Sequence, residues 1–316
     1  MSIPKTWKLS VVAPVYNERE NIDAFVDEVI TALAALAPPG GYELILVNDG
    51  SRDGSAEALD AAAEAHPGVI RAVHLARNFG MEPALVAGLE RATGDAIILM
   101  DSDMQDDPAH FPAFIAQWQA GHEVVYAVRS SRQESALRRL LFWGFYRVLG
   151  ELAEIELPAD ASNFALMDRC VVEALRQFPE RNRFLRGLRA WVGFRQTGIP
   201  VARRARYDRC TRLGLRGQWT LAMNAIFSFS YVPLFLFRLA GVGALLLSGL
   251  LILWVMYNKL VVGLNIQAWA SQMVTISFLG GINLLGIGVV GEYVARIYDE
   301  VKGRPTYIVH RETQIK

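Results

Sequence analysis

Two uncharged stretches near the C-terminal end constrain this chain more than any other feature. Leu239 to Tyr257 runs 19 residues without a charged side chain, enough for a helix of about 28 Å, close to the hydrocarbon thickness of a bilayer. Ala268 to Gly291 is a second such run, and its Gly280, Gly281, Gly286 and Gly288 offer the small faces on which membrane helices pack. A soluble core helix could account for one run, but two in succession predict a transmembrane hairpin, with helices over 233–257 and 268–291. The connecting loop, Asn258 to Gln267, contains only Lys259. Arg203, Arg204, Arg206, Arg209, Arg212 and Arg216 precede the hairpin, and Arg296, Lys302, Arg304 and Arg311 follow it. Basic flanks belong on the cytoplasmic side, so both termini are expected there. Arg238 is expected to reach the headgroups, with Trp254, Tyr257 and Trp269 at the interfaces. Between the arginines and the hairpin, 215–232 mixes Trp219, Met223, Ile226, Phe227 and Phe229 with polar residues, which predicts an amphipathic helix on the membrane surface.

Residues 1–214 read differently. Short β-rich runs alternate with longer amphipathic ones, the pattern of an α/β fold with a mainly parallel sheet. Strands are predicted over Leu9–Ala13, Glu43–Asn48, Val69–Leu75, Ala96–Met100 and Glu123–Val128, and helices over Arg19–Leu36, Ser55–Ala65 and Pro83–Ala92. Met1 to Lys8 has no apolar core of signal-peptide length, so this domain is expected to stay cytoplasmic. The 32 basic and 32 acidic residues balance, giving no pull toward nucleic acid. Cys170 and Cys210 stand far apart without metal spacing, and reduced thiols are expected. His66, His74, His110, His122 and His310 form no metal-spaced pair.

In open α/β sheets ligands bind beyond the carboxyl ends of the strands. Pro14–Glu18, Asp49–Asp53 and Asp101–Gln105 all fall at such ends. If the last of these is extended, alternate residues face one side. Asp101, Asp103 and Gln105 could then direct hard oxygens at one Mg2+ or Mn2+ that also touches a phosphate. Asp106 or Asp107 is read as the cap of a helix with Pro108 in its first turn.

Pro14-Val15-Tyr16-Asn17-Glu18, Val47-Asn48-Asp49-Gly50-Ser51-Arg52-Asp53-Gly54-Ser55 and Asp101 to Gln105, in that order, resemble the family 2 inverting glycosyltransferases with a GT-A fold. Arg77-Asn78-Phe79-Gly80, the Asp-x-Asp-x-Gln pattern and the terminal hairpin point to the polyprenyl-phosphate branch, which includes dolichol-phosphate mannose synthase. Gly291-Glu292-Tyr293 and Lys302-Gly303-Arg304-Pro305 look like its bacterial two-helix members. The resemblance implies a cytoplasmic GT-A (nucleotide-diphospho-sugar transferase) domain over 1–214, the hairpin, and a cytoplasmic tail over 292–316 in a bacterial inner membrane. It implies that Pro14, Tyr16, Glu18, Val47, Asp49, Asp101, Ser102 and Asp103 bind the nucleotide sugar. UDP-sugars are favoured over GDP-mannose. Arg129, Arg139, Arg206 and Arg212 would hold the acceptor phosphate, and Asp101, Asp103, Arg129, Arg206 and Arg212 would carry catalysis. Arg138 and Arg139 precede the aromatic run Phe142 to Tyr146 and could meet the lipid phosphate or line a solvated helix face. Where the family has Arg-x-x-Gly-x-Ser-Lys, this chain reads Arg206-Tyr207-Asp208-Arg209-Cys210-Thr211-Arg212, with arginine in the glycine position. Relatives also imply a homo-oligomer, such as a tetramer. A processive polysaccharide synthase would carry Gln-x-x-Arg-Trp, which is absent here. A non-catalytic binder of nucleotide sugars or lipid phosphates would not need all three acidic elements.

Overall fold

The computed structural model describes residues 4–129, 161–178, 180, 184–201, 204, 232–262 and 269–313. The chain divides into two compact units. The first is built from 1–144, 155–214 and 304–316, and the second from 145–154 and 215–303.

The first unit is an eight-stranded sheet: β1 (Leu9–Val15), β2 (Tyr42–Asn48), β3 (Ile70–Leu75), β4 (Ala96–Leu99), β5 (Val124–Arg129), β6 (Ala161–Asp168), β7 (Gln196–Val201) and β8 (Val309–Glu312). The spatial order is β7-β5-β6-β4-β1-β2-β3-β8. β1 pairs in parallel with β2 and β4, as do β2 with β3 and β5 with β7. β6 runs antiparallel to β4 and β5, and β8 antiparallel to β3. The helices α1 (Arg19–Leu36), α2 (Ser55–Ala65), α3 (Met81–Arg91), α4 (Phe111–Gln119), α5 (Arg169–Arg176) and α6 (Leu185–Trp191) connect the strands.

Continuous apolar strands arise where a sheet is covered on both faces. Alternate residues of β1, β2 and β4 divide accordingly. Val11, Ala13, Leu44, Leu46 and Ile98 join one core with α1, α2 and α4, while Val12, Ile45, Val47, Ile97 and Leu99 join a second with α3, α5 and α6. The result is a three-layer α/β/α unit whose β1, β2 and β4 ends share one rim. α1 and α2 have the predicted bounds. α3 begins two residues earlier than predicted, with Met81 and Glu82 in its first turn. The strands β6, β7 and β8 have no counterpart among the predicted ones.

In the second unit, α7 (Val232–Tyr257) continues into a π-helical turn over Asn258–Val262, and α8 spans Trp269–Val301. α8 extends ten residues past the predicted end of the second apolar run, through Glu292, Arg296, Asp299 and Glu300. Its Phe278–Val301 segment is long and apolar enough to cross a membrane, and Phe237–Leu251 is a shorter apolar stretch. A Cβ on Gly286 would lie 1.7 Å from Cζ of Phe237, so only glycine admits that ring between the helices.

Candidate active site

The rim is organised by polar ties between its loops. Asn17, at φ 53°, donates its backbone N–H to Ser51 Oγ at 3.0 Å, and its own Oδ1 accepts from Arg52 N–H at 2.9 Å. The Glu18 N–H donates to Ser55 Oγ, and Arg19 N–H to Asp53. Ser51 N–H donates to Asn48 Oδ1 at 2.9 Å. The β1–α1 and β2–α2 turns are thus fixed to one another. Glu18, 8% exposed, accepts from Asn21 Nδ2 at 2.6 Å.

Asp49 turns its carboxylate inward. One oxygen accepts from Phe79 N–H (2.7 Å) and the other from Gly80 N–H (2.9 Å). Burial pushes its pKa up to about 6, against the lowering effect of those two N–H groups and the Arg77 charge. Gly50 follows at φ +67°, where a Cβ would stand 2.4 Å from the Arg77 carbonyl carbon. Asp49 and Gly50 together hold the Arg77–Gly80 loop against the β2 end. Arg77 also lies over the Phe79 ring at 4.2 Å.

Asp101 to Gln105 form a turn. Met104 is left-handed at φ 61°, and Asp103 Oδ1 accepts from Gln105 N–H at 3.2 Å. This corrects the extended reading: a carboxylate that reaches the N–H two residues on requires a tight local turn. Ser102, 6% exposed, donates to the Pro14 carbonyl at 2.8 Å, which joins this turn to the β1 end. Asp106 accepts from Asp101 N–H. Asp107 is the helix cap: it accepts from Ala109 N–H at 2.9 Å, ahead of a 3-10 turn over Pro108–His110. Arg204 closes the far side, donating its N–H to the Gln105 carbonyl (3.2 Å) and pairing with Glu28 and Asp107. Among the described residues no three His, Cys, Asp or Glu side chains gather as a metal cage. Two carboxylates and an amide on one turn suit Mg2+ or Mn2+, which take oxygen ligands and complete their shells with water or phosphate oxygens.

A further group lies beside Asp101. Glu82, in the first turn of α3, accepts from Leu185 N–H at 3.2 Å. Burial pushes its carboxyl up to about 7. The Leu185 N–H, Arg186 and Arg189 oppose that shift, and the Asp101 charge adds to it. Arg189 is 4% exposed, and burial pulls its guanidinium down to about 10. It donates to the Ser162 carbonyl (3.2 Å) and lies 5.2 Å from the Tyr126 ring centre. Nothing in the sequence singled out Glu82, Asn163, Arg186 or Arg189. An acid in a helix's first turn reads as a complement to the helix dipole, and the antiparallel return of β6 that carries Asn163 was not foreseen.

The predicted nucleotide-binding residues divide by exposure. Tyr16 is exposed at the rim, whereas Val47 is fully buried, with its side chain under Gly88 of α3. Val47 is therefore a core residue beneath the rim and is not exposed there. Arg129 ends β5 in register with Val201. Arg139, Arg206 and Arg212, and the amphipathic helix expected before α7, lie outside the described residues.

Known proteins resemble this chain in sequence along most of its length. The model of glycosyl transferase family 2 matches residues 10–176. An uncharacterized glycosyltransferase of Synechocystis sp. is 40% identical over 305 residues, covering 96% of this chain and 95% of that protein. The SfII prophage-derived bactoprenol glucosyl transferase of Shigella flexneri is 38% identical over 305 residues, with 96% and 98% covered. Among solved structures, a mannosyltransferase from Pyrobaculum calidifontis in complex with GDP-Man and Mn2+ is 22% identical at a TM-score of 0.46, covering 70% of this chain and 61% of that one. The first unit has the GT-A fold, with its mixed, mainly parallel sheet. A family model matched across more than half of the chain, and relatives near 40% identity along almost all of it, make this protein a member of glycosyl transferase family 2.

Proposed function

We propose that this glycosyltransferase moves a sugar, with inversion, from a nucleoside diphosphate sugar to a polyprenyl phosphate at the cytoplasmic face of a bacterial inner membrane. The observation that carries this reading is the near full-length similarity to a protein named for bactoprenol glucosyl transfer. UDP-glucose is the first donor to test. Such a product would serve cell-envelope glycan or lipopolysaccharide modification.

The acceptor is a phosphate monoester with its second pKa near 6, so its oxygen is already ionised at neutral pH and needs no strong general base. A divalent cation held by Asp101, Asp103 and Gln105 would offset the charge of the leaving diphosphate. The Asp49-anchored Arg77 loop and the tied Asn17–Ser51 turns keep the donor side of the rim fixed. Arg129, Arg139, Arg206 and Arg212 are proposed to bring the acceptor phosphate against that donor. α7 and α8 form the proposed membrane hairpin, which keeps the domain at the surface where the lipid lies and so replaces a search through solution.

Labelled UDP-glucose, UDP-galactose, UDP-N-acetylglucosamine and GDP-mannose, each incubated with undecaprenyl phosphate and membranes containing the protein, test the reading. One nucleotide sugar should label the lipid phase. Chelator should abolish labelling, with Mg2+ or Mn2+ restoring it. A polymeric product would mean a processive synthase, and donor binding without turnover would mean a non-catalytic binder. Asp103→Asn should lower lipid labelling at least about a hundredfold, the scale of losing a charge-stabilising group at a reacting diphosphate. Full activity with metal dependence intact would remove Asp103 from the mechanism.

A further inference from the structure

Four side chains left unused above gather where α3, β6 and α6 meet. Glu82 is held by Leu185 N–H and lies within electrostatic reach of Asp101, Arg186 and Arg189. The Asn163 Nδ2 stands 3.9 Å from the Met81 Sδ, one residue before Glu82. The Arg189 guanidinium is tied to the carbonyl of Ser162, one residue before Asn163. Leu99 of β4 pairs with Ala165 of β6, and two residues further along each strand lie Asp101 and Asn163. The group is therefore continuous with the strand-end acids.

Asn163 and Arg189 are 7% and 4% exposed. Nevertheless Asn163 Oδ1, Arg189 Nε and Arg186 Nε have no hydrogen-bond partner among the described residues. Leaving a buried polar atom without a partner costs about 1–3 kcal/mol, so three in one place point to a ligand that supplies the missing bonds. Their chemistry selects its class. The Asn163 oxygen and the Glu82 carboxyl accept hydrogen bonds, whereas the guanidinium nitrogens donate. A phosphate offers acceptors to the arginines but would set its oxygens against the Asn163 oxygen and Glu82. Hydroxyl groups donate and accept, and so satisfy both kinds of atom.

Resting on the donor reading above, we propose that Glu82, Asn163, Arg186 and Arg189 form the subsite that grips the hydroxyls of the transferred sugar, next to the diphosphate side at Asp101 and Asp103. The sugar, and not the nucleotide, is then what this cluster discriminates.

The test uses the full-length protein and whichever of the four nucleotide sugars above the wild type turns over fastest, with the matching nucleoside diphosphate as the sugar-free probe. Glu82→Gln and Asn163→Ala should each raise the donor KM about tenfold or more, because a site built to bond hydroxyls loses strongly when one partner goes. Affinity for the nucleoside diphosphate should stay within about twofold, since it lacks the sugar. A donor KM within about twofold of wild type in both variants overturns the proposal. Equal losses for donor and nucleoside diphosphate also overturn it, by assigning the cluster to the fold or the diphosphate. A wild type that neither binds nor turns over any of the four donors refutes instead the donor reading on which the proposal rests.

Discussion

Gly50 shows how narrowly single residues fix the rim at the strand ends. Its left-handed φ and the 2.4 Å approach to Arg77 exclude any side chain without moving the loop that Asp49 holds. Gly50→Ala is expected to raise the donor KM about tenfold or more and to lower the melting temperature, as a strained backbone of about 1–3 kcal/mol requires. Both can be read from donor titrations and a thermal melt in detergent. Asp49 adds a pH signature. Its carboxyl titrates near 6 in the fold, above its ordinary value of about 3.9. The raised pKa favours the fold fully below the ordinary value, and that contribution is lost as pH rises through 6. Melting temperatures measured from pH 4.5 to 7.5 should therefore fall with pH more steeply in wild type than in Asp49→Asn, which cannot ionise. Parallel curves would show that the carboxyl is not destabilised by its burial. The sequence placed Asp49 and Gly50 in one motif, but the loop they hold lies about thirty residues downstream, a partner that only the parallel β2–β3 pairing brings within reach.

At the scale of elements, β8 is the part least visible beforehand. Four residues after a long helix carry no alternating pattern strong enough to mark an edge strand, and their partner, β3, is more than two hundred residues away. In the fold Arg311 stands in register with His74. It pairs with both oxygens of Asp60 at 2.9 and 2.5 Å. Asp60 also receives His74 Nε2 at 2.9 Å, and His74 Nδ1 lies 3.1 Å from Asn48 Nδ2. That arrangement assigns the Nε2–H tautomer of neutral His74, and burial lowers the His74 pKa in agreement. Asn48 in turn anchors Ser51, so the last strand braces the strand-end rim through three side chains. Arg311→Ala should cost about 1 kcal/mol or less in stability, the scale of an exposed ion pair, while raising the donor KM more than the acceptor KM. Equal effects on both would confine β8 to a structural role. By contrast, α1, α2, β1, β2 and β4 were legible because their burial follows the helix period or the two-sided pattern of a buried parallel sheet.

For the whole molecule, the telling fact is that the chain returns. The first unit contains both the residues up to Gly214 and those from Arg304 onward, and β8 is a strand of the same sheet as β1. A chain that leaves one folded body, enters a bilayer and finishes as an edge strand of that body must cross an even number of times. α7 and α8 supply two helices for such a passage. α8, at 33 residues, extends about 50 Å, well beyond the roughly 30 Å hydrocarbon core. Its last turns, with Glu292, Arg296, Asp299 and Glu300, are then expected to stand in the headgroup layer and beyond it. The two apolar runs marked α7 and α8 in the sequence, but the C-terminal end of α8 did not follow from them, because a helix keeps its backbone bonds after its side chains have become polar. In a variant with Cys170 and Cys210 replaced, Lys259→Cys should react with a membrane-impermeant maleimide in intact cells, after the outer membrane is permeabilised. His310→Cys should react only once the inner membrane is opened. If the label reaches both positions equally in intact cells, the even number is zero, and α7 and α8 lie on the membrane without crossing it.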